Sequence, residues 1–90
     1  MKIAERIKLT KEFFKKNNHE ILDEWESNIL SRVHHFLTRT KNSHEYHISV
    51  SDVGIICSRV INLDLEQQED LYIGRALEEA FALVEEDDNR

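Results

Sequence analysis

Five histidines and one cysteine are the side chains of this sequence best suited to chemistry near neutral pH: His19, His34, His35, His44, His47 and Cys57. His44 and His47 stand three apart, His34 and His35 are adjacent shortly before them, and Cys57 follows. Imidazole and thiolate ligate transition metals, so one reading is a metal or pH sensor using His44, His47 and one of His34 and His35. The spacing fits no closed structural zinc centre, which would bring several cysteines. Adjacent residues on a helix point about 100° apart, which keeps His34 and His35 from facing one ion. Surface or half-buried histidines explain the same residues, and no metal ligand is assigned.

Cys57 lies in the most apolar stretch, Val53 to Ile61, where a thiol behaves as a small hydrophobe with a raised pKa. The carboxylate groups Asp23/Glu24/Glu26 and Glu78/Glu79 read as solvated faces. Gly54 and Gly74 are isolated, so no glycine-rich phosphate loop is present. No catalytic or cofactor-binding residue is assigned.

The elements that must position these groups read as helices. Apolar residues at Ile21, Leu22, Trp25, Ile29, Leu30, Val33, Phe36 and Leu37 recur in steps of three, four and one, the stripe of one long helix from Asn18 to Lys41. Asn17 with Glu20 forms its capping box. A first helix spans Ile3 to about Lys16 with a lysine-rich outer face, and Asn17-Asn18 breaks or bends the chain. Tyr46, Ile48 and Val50 alternate with polar residues, giving a short extended segment at 45–50 with no evident strand partner. A third helix runs from Ser51-Asp52 to Ile61. A fourth opens on the Asp64/Gln67 capping box, and residues 85–90 form a frayed acidic tail. The absence of proline and the presence of only two glycines argue against a turn-rich β fold. The expected fold is all-α: a single domain over residues 1–90, a small bundle of about four helices around one long central helix.

Charge is unevenly spread. Residues 1–45 carry nine Lys/Arg and seven Asp/Glu, whereas residues 46–90 carry three and eleven, within a net charge of −6. An acidic second half opposes phosphate binding by a helical hairpin there. The lone cysteine and the charged, non-apolar N-terminal residues point to the cytoplasm, with no membrane partner.

The expected function is a small non-enzymatic protein-interaction module, a regulator, adaptor or inhibitor acting through a helical surface as a homodimer. Partner contacts are expected at Trp25, Val33, Phe36, Leu37, Leu71, Tyr72, Glu78, Glu79 and Leu83, with Phe81 if exposed. The alternative is a nucleic-acid-related role, through the basic first helix or by acidic mimicry of DNA.

Overall fold

The computed structural model describes residues 1–90 and overturns the all-α expectation. The chain runs α1 (Ile3–Lys16), β1 (Glu20–Ser27), β2 (Val33–Arg39), β3 (Glu45–Val50), β4 (Ile55–Asn62), β5 (Gln67–Gly74) and α2 (Leu77–Asp88). The five strands form one antiparallel sheet in the order β1-β2-β3-β4-β5. Both helices lie on one face of it, and the other face is open.

The first helix ends where the asparagine pair stands. Asn18 adopts a left-handed conformation (φ 58°) and the His19 amide donates to the Phe14 carbonyl at 2.9 Å, a Schellman closure that stops α1 and turns the chain. The next stretch therefore starts as a strand rather than a second helix. The three-four spacing from Ile21 to Leu37 is an accident of two strands read through a loop. Ile29 and Leu30 occupy that loop at 92% and 99% exposure, so they join no stripe.

Within the strands, period two governs. Phe36, Thr38, Tyr46, Ile48, Val50, Ile55 and Cys57 are buried under the helices, while their strand neighbours point the other way. The alternation at 45–50 becomes β3, the middle strand, paired on both sides. The Ile/Val-rich run expected as a third helix is β4, in keeping with the preference of β-branched residues for a pleated surface. The expected fourth helix divides into β5 and α2. Residues 85–88 continue α2 instead of fraying, and Asp87 is buried.

Beneath the helices sits one core: Ile3, Phe13 and Phe14 from α1, Leu77, Ala80 and Val84 from α2, and the inward strand residues. Phe14 meets Phe36 edge-to-face with centroids 5.1 Å apart, and Phe13 stacks on Phe81 at 4.3 Å, joining the helices to each other. Polar ties close the layer. Asp52, at the β3–β4 turn, accepts the Ile3 amide at 2.7 Å and so caps α1 from a distant part of the chain. At the far end, the Tyr46 hydroxyl donates to Asp87 at 2.6 Å, and Asp88 accepts from Thr40 at 2.6 Å and lies 2.8 Å from His44. The two carboxylates sit at the negative end of the α2 dipole, an unfavourable place that these donors and Arg59 offset. Gly54 is required by close approach, since a Cβ there would stand 2.3 Å from the Gly74 carbonyl oxygen.

Candidate functional site

The five histidines go to four different places. His19 is buried behind α1 against Phe13 and Phe14, with Nδ1 3.1 Å from the Thr38 hydroxyl. Burial holds its pKa below the ordinary histidine value, partly opposed by Asp88. His34 lies beside α1, with its two nitrogens on Glu24 (2.6 Å) and Glu26 (3.0 Å), while Lys11 of α1 approaches Glu24 at 3.2 Å. Hydrogen bonds from Arg32 and His34 take Glu26 down to about 2. Glu24 is raised by burial but lowered further by His34 and Lys11, so its net shift is downward. His44 is tied to Asp88 in the β2–β3 turn.

Only His35 and His47 meet. They occupy adjacent strands β2 and β3 on the open face, where His35 pairs with Ser49 and Leu37 with His47. His34 and His35 thus project from opposite faces of one strand, and the expected combination with His44 does not form. His35 Nδ1 stands 2.9 Å from His47 Nε2, and the ring centroids are 5.2 Å apart. That separation is about the nitrogen–nitrogen distance plus two ring radii, so the imidazoles join edge to edge rather than face to face.

From this pair a hydrogen-bonded line crosses the sheet. Ser27 Oγ is 2.9 Å from His35 Nε2, Ser49 Oγ lies 2.9 Å from His35 Nδ1 and 3.2 Å from His47 Nε2, and His47 Nδ1 is 2.8 Å from the Gln68 side-chain oxygen. With both rings neutral each of the four ring nitrogens has a partner. His47 donates to Gln68, His35 donates to His47, and the Ser27 hydroxyl donates to His35. Burial, then the neighbouring His47 and His34, hold the His35 pKa below its usual value.

Trp25, directly across from His35 on β1, lies nearly parallel to it (5.0 Å, 5°) and to His47 (5.5 Å, 22°). Beside it, Trp25, Leu37, His47, Val60, Leu63 and Gln68 line a concavity of about 330 Å³. Further along the face, Ile56 pairs with Ile73, and both are exposed.

Ser49, His47 and Gln68 fall in the order nucleophile, base and orienting group. The orienting group is an uncharged amide, which cannot stabilise an imidazolium as a carboxylate does. Ser49 is also only 9% exposed, so a substrate carbonyl has no approach to it. Cys57 is enclosed on the covered face with its pKa pushed up to about 12 by burial, the character of an inert core thiol.

The expected partner-contact residues are dispersed. Trp25, Val33 and Leu37 fall on or at the margin of the open face. Phe36 is fully enclosed in the core, and Leu71 and Tyr72 pack against it. Leu71 turns inward because it is the extra residue where the β4–β5 register slips opposite Cys57/Ser58. Glu78, Glu79 and Leu83 lie on α2, away from that surface, with both glutamates exposed. Missed entirely were Ser27, Ser49, Gln68, Ile56 and Ile73. The two-residue spacing of His47 and Ser49 within an alternating run was the available signal for a shared face, whereas nothing local marks Gln68. No family model, curated protein or solved structure matches this chain.

Proposed function

We propose that this chain is a non-enzymatic protein-interaction module that docks through the open face of its sheet and pairs there with a second copy of itself. The observation that carries this reading is the chemistry of that face. Antiparallel sheets often leave one face to water, but such a face is then polar. Here it carries Trp25, Ile56 and Ile73 at 40%, 42% and 66% exposure, beside Leu37 and Val60. Exposed apolar side chains at both margins of one sheet face, on either side of His35 and Ser49, favour an interaction site.

Size supports a self-complementary partner. Five strands about 4.8 Å apart, each about 20–26 Å long, present roughly 500–600 Å² in projection. Surface relief brings that towards the about 800 Å² per partner of a standard interface. The expected helical surface gives way to the sheet. α1 and α2 pack side by side, so the exposed lysines of α1 (Lys8, Lys11, Lys15, Lys16) lie in the same layer as Glu78, Glu79, Glu85 and Glu86. A mixed layer offers neither the cationic surface that nucleic acid needs nor a uniform acidic mimic of it, which favours the protein-interaction reading. No helix is long and apolar enough to cross a membrane. The reading places the protein in the cytoplasm, on the strength of its single, enclosed thiol.

Light scattering on a size-exclusion column tests it. At about 100 μM the wild type runs at twice the chain mass, and Ile73→Asp runs at the chain mass with an unchanged circular dichroism spectrum. A wild type that stays monomeric at that concentration removes the self-pairing.

A further inference from the structure

One lateral row of the open face carries Trp25, His35, Ser49, Ile56 and Ile73, each directly opposite the next across the five strands. The row is apolar at its two ends and polar in its middle. Beyond it, where β1 turns into β2, Ile29 and Leu30 stand at 92% and 99% exposure, the barest large apolar side chains of the chain. At the same end of the sheet, Val33, Ser49, Ile56 and Ile73 with Val53 and Gly54 of the β3–β4 turn line a concavity of about 320 Å³. The loop does not reach its far wall within one chain. Three strand spacings, about 14 Å, separate the β1–β2 loop from the β4–β5 pair that carries Ile56 and Ile73.

A second copy laid face to face removes that separation. Two sheets stacked with their strands aligned are related by a two-fold axis in the plane between them, running either along the strands or across them. An axis across the strands lays β1 over β1 and sets Ile29 and Leu30 against the far end of the β1–β2 pair, among Asn18, Lys41 and Asn42. An axis along β3, the middle strand, lays β1 over β5 and keeps the ends in step. It then sets Ile29 and Leu30 of each copy over Ile56 and Ile73 of the other, and Trp25 of each over the opposite apolar margin.

We infer that the two-fold axis of the self-paired form runs along β3 and that the Ile29–Leu30 loop of each copy seats in the Ile56/Ile73 concavity of the other. This rests on the self-pairing proposed above and names the contact that directs it. Stacked sheets lie about 10 Å apart, a gap that apolar side chains facing each other fill. Each bare aliphatic side chain brings on the order of 100 Å² of apolar surface, so the loop moves the face towards the about 800 Å² per partner of a standard interface. Arg32, the one charged residue of the loop, is already held by Glu26, so no free charge enters the contact. The polar middle of the row meets its own copy at the axis. The ring nitrogens of His35 and His47 have partners within the chain, so covering them leaves none unpaired.

Isotope-filtered nuclear magnetic resonance on a mixture of carbon-13-labelled and unlabelled wild type tests the arrangement without any variant. Contacts between copies are expected from the Ile29 and Leu30 methyl groups to those of Ile56 and Ile73. Dilution followed by light scattering gives a second reading: Ile29→Ser with Leu30→Ser weakens pairing at least about tenfold, with the circular dichroism spectrum and monomer melting temperature unchanged. A wild type that stays monomeric at about 100 μM removes the self-pairing and this arrangement with it. A wild type that pairs, but with Ile73 against Ile73 of the other copy, with no contact from the loop, or with its affinity kept in the double variant, overturns the arrangement alone.

Discussion

The two faces of the sheet use the same strands for opposite purposes, and the residues that differ are immediate neighbours. Phe36, Ile48 and Cys57 are enclosed, and the polar groups of that layer are few and mostly tied, as Tyr46 is to Asp87, with Arg6 Nε left without a partner. One position along, His35, His47 and Ser49 form a continuous polar line partly open to water, with apolar residues scattered around it. On the covered face, apolar contact provides most of the stabilisation and hydrogen bonds fix the ends of the helices. On the open face, hydrogen bonds organise the surface, and apolar residues such as Trp25, Ile56 and Ile73 stay exposed although they touch their strand neighbours. A strand shifted by one residue would exchange these roles, which makes the alternation itself the feature that separates stability from function.

The largest expected break in that contrast comes from consecutive residues of β2. Phe36→Ala should lower the unfolding free energy by about 3–5 kcal/mol, because it removes an enclosed ring and leaves a cavity. Leu37→Ala, one step along and partly exposed, should cost about 1 kcal/mol. Urea unfolding of both variants checks the difference, and equal losses would mean that the faces are not distinguished by burial.

Next comes the buried polar tie. Asp87→Asn or Tyr46→Phe should each cost about 1.5–3 kcal/mol, the range for a hydrogen bond to a charged group. The double variant should cost less than the two losses added, because both remove the same bond. Strict additivity would show that the hydroxyl and carboxylate do not interact.

Acid should then weaken the two faces through different histidines. His19 and His35 both have folded-state pKa values below the ordinary 6.5, so the unfolded chain takes up protons first. Their contribution is complete above about pH 6.5 and is lost as pH falls through the lowered folded values. Melting temperature should drop between pH 7.5 and 5, and His19→Gln should flatten the profile more than His35→Gln because His19 is the more enclosed. A further decline below about pH 4.5 belongs to Glu24 and Glu26. Their folded pKa values are lowered, that of Glu26 to about 2, so their stabilising pairs are lost as pH falls towards it. A flat profile from pH 7.5 to 5 would contradict the histidine assignment.

The smallest effect is expected at Ile73. Ile73→Thr should change stability by less than about 0.5 kcal/mol in the monomer, since an exposed side chain on this face supports no core. Thermal melts of dilute protein check it, and a loss above 1 kcal/mol would show that the open face contributes to the fold after all.

Part of this organisation is legible in the sequence. The first helix has its expected bounds, the asparagine pair ends it, and the alternation of Tyr46, Ile48 and Val50 lies on a strand. The long helix was illusory because hydrophobic spacing carries no record of where a loop intervenes. Ile29 and Leu30 completed the stripe although they sit in solvent. The absence of proline misled in the same way. These hairpins turn with Ser43 and Glu66 in the left-handed region, where glycine or asparagine is more usual. The histidine cluster was visible as a cluster, but which members meet depends on strand register, and register follows from turns that the local pattern did not reveal.

The tie between Tyr46 and Asp87 has a further consequence for how the molecule is made. Every strand pairs with its neighbour in sequence, so the sheet can assemble hairpin by hairpin as it is synthesised. The layer that shields its apolar side, however, is drawn from segments at opposite ends of the chain. Until Leu77–Asp88 has emerged, part of the face around Tyr46 has no cover and the hydroxyl has no acceptor. A nascent chain paused at that point would be a formed sheet with a sticky underside, the species that a chaperone holds and a protease clears.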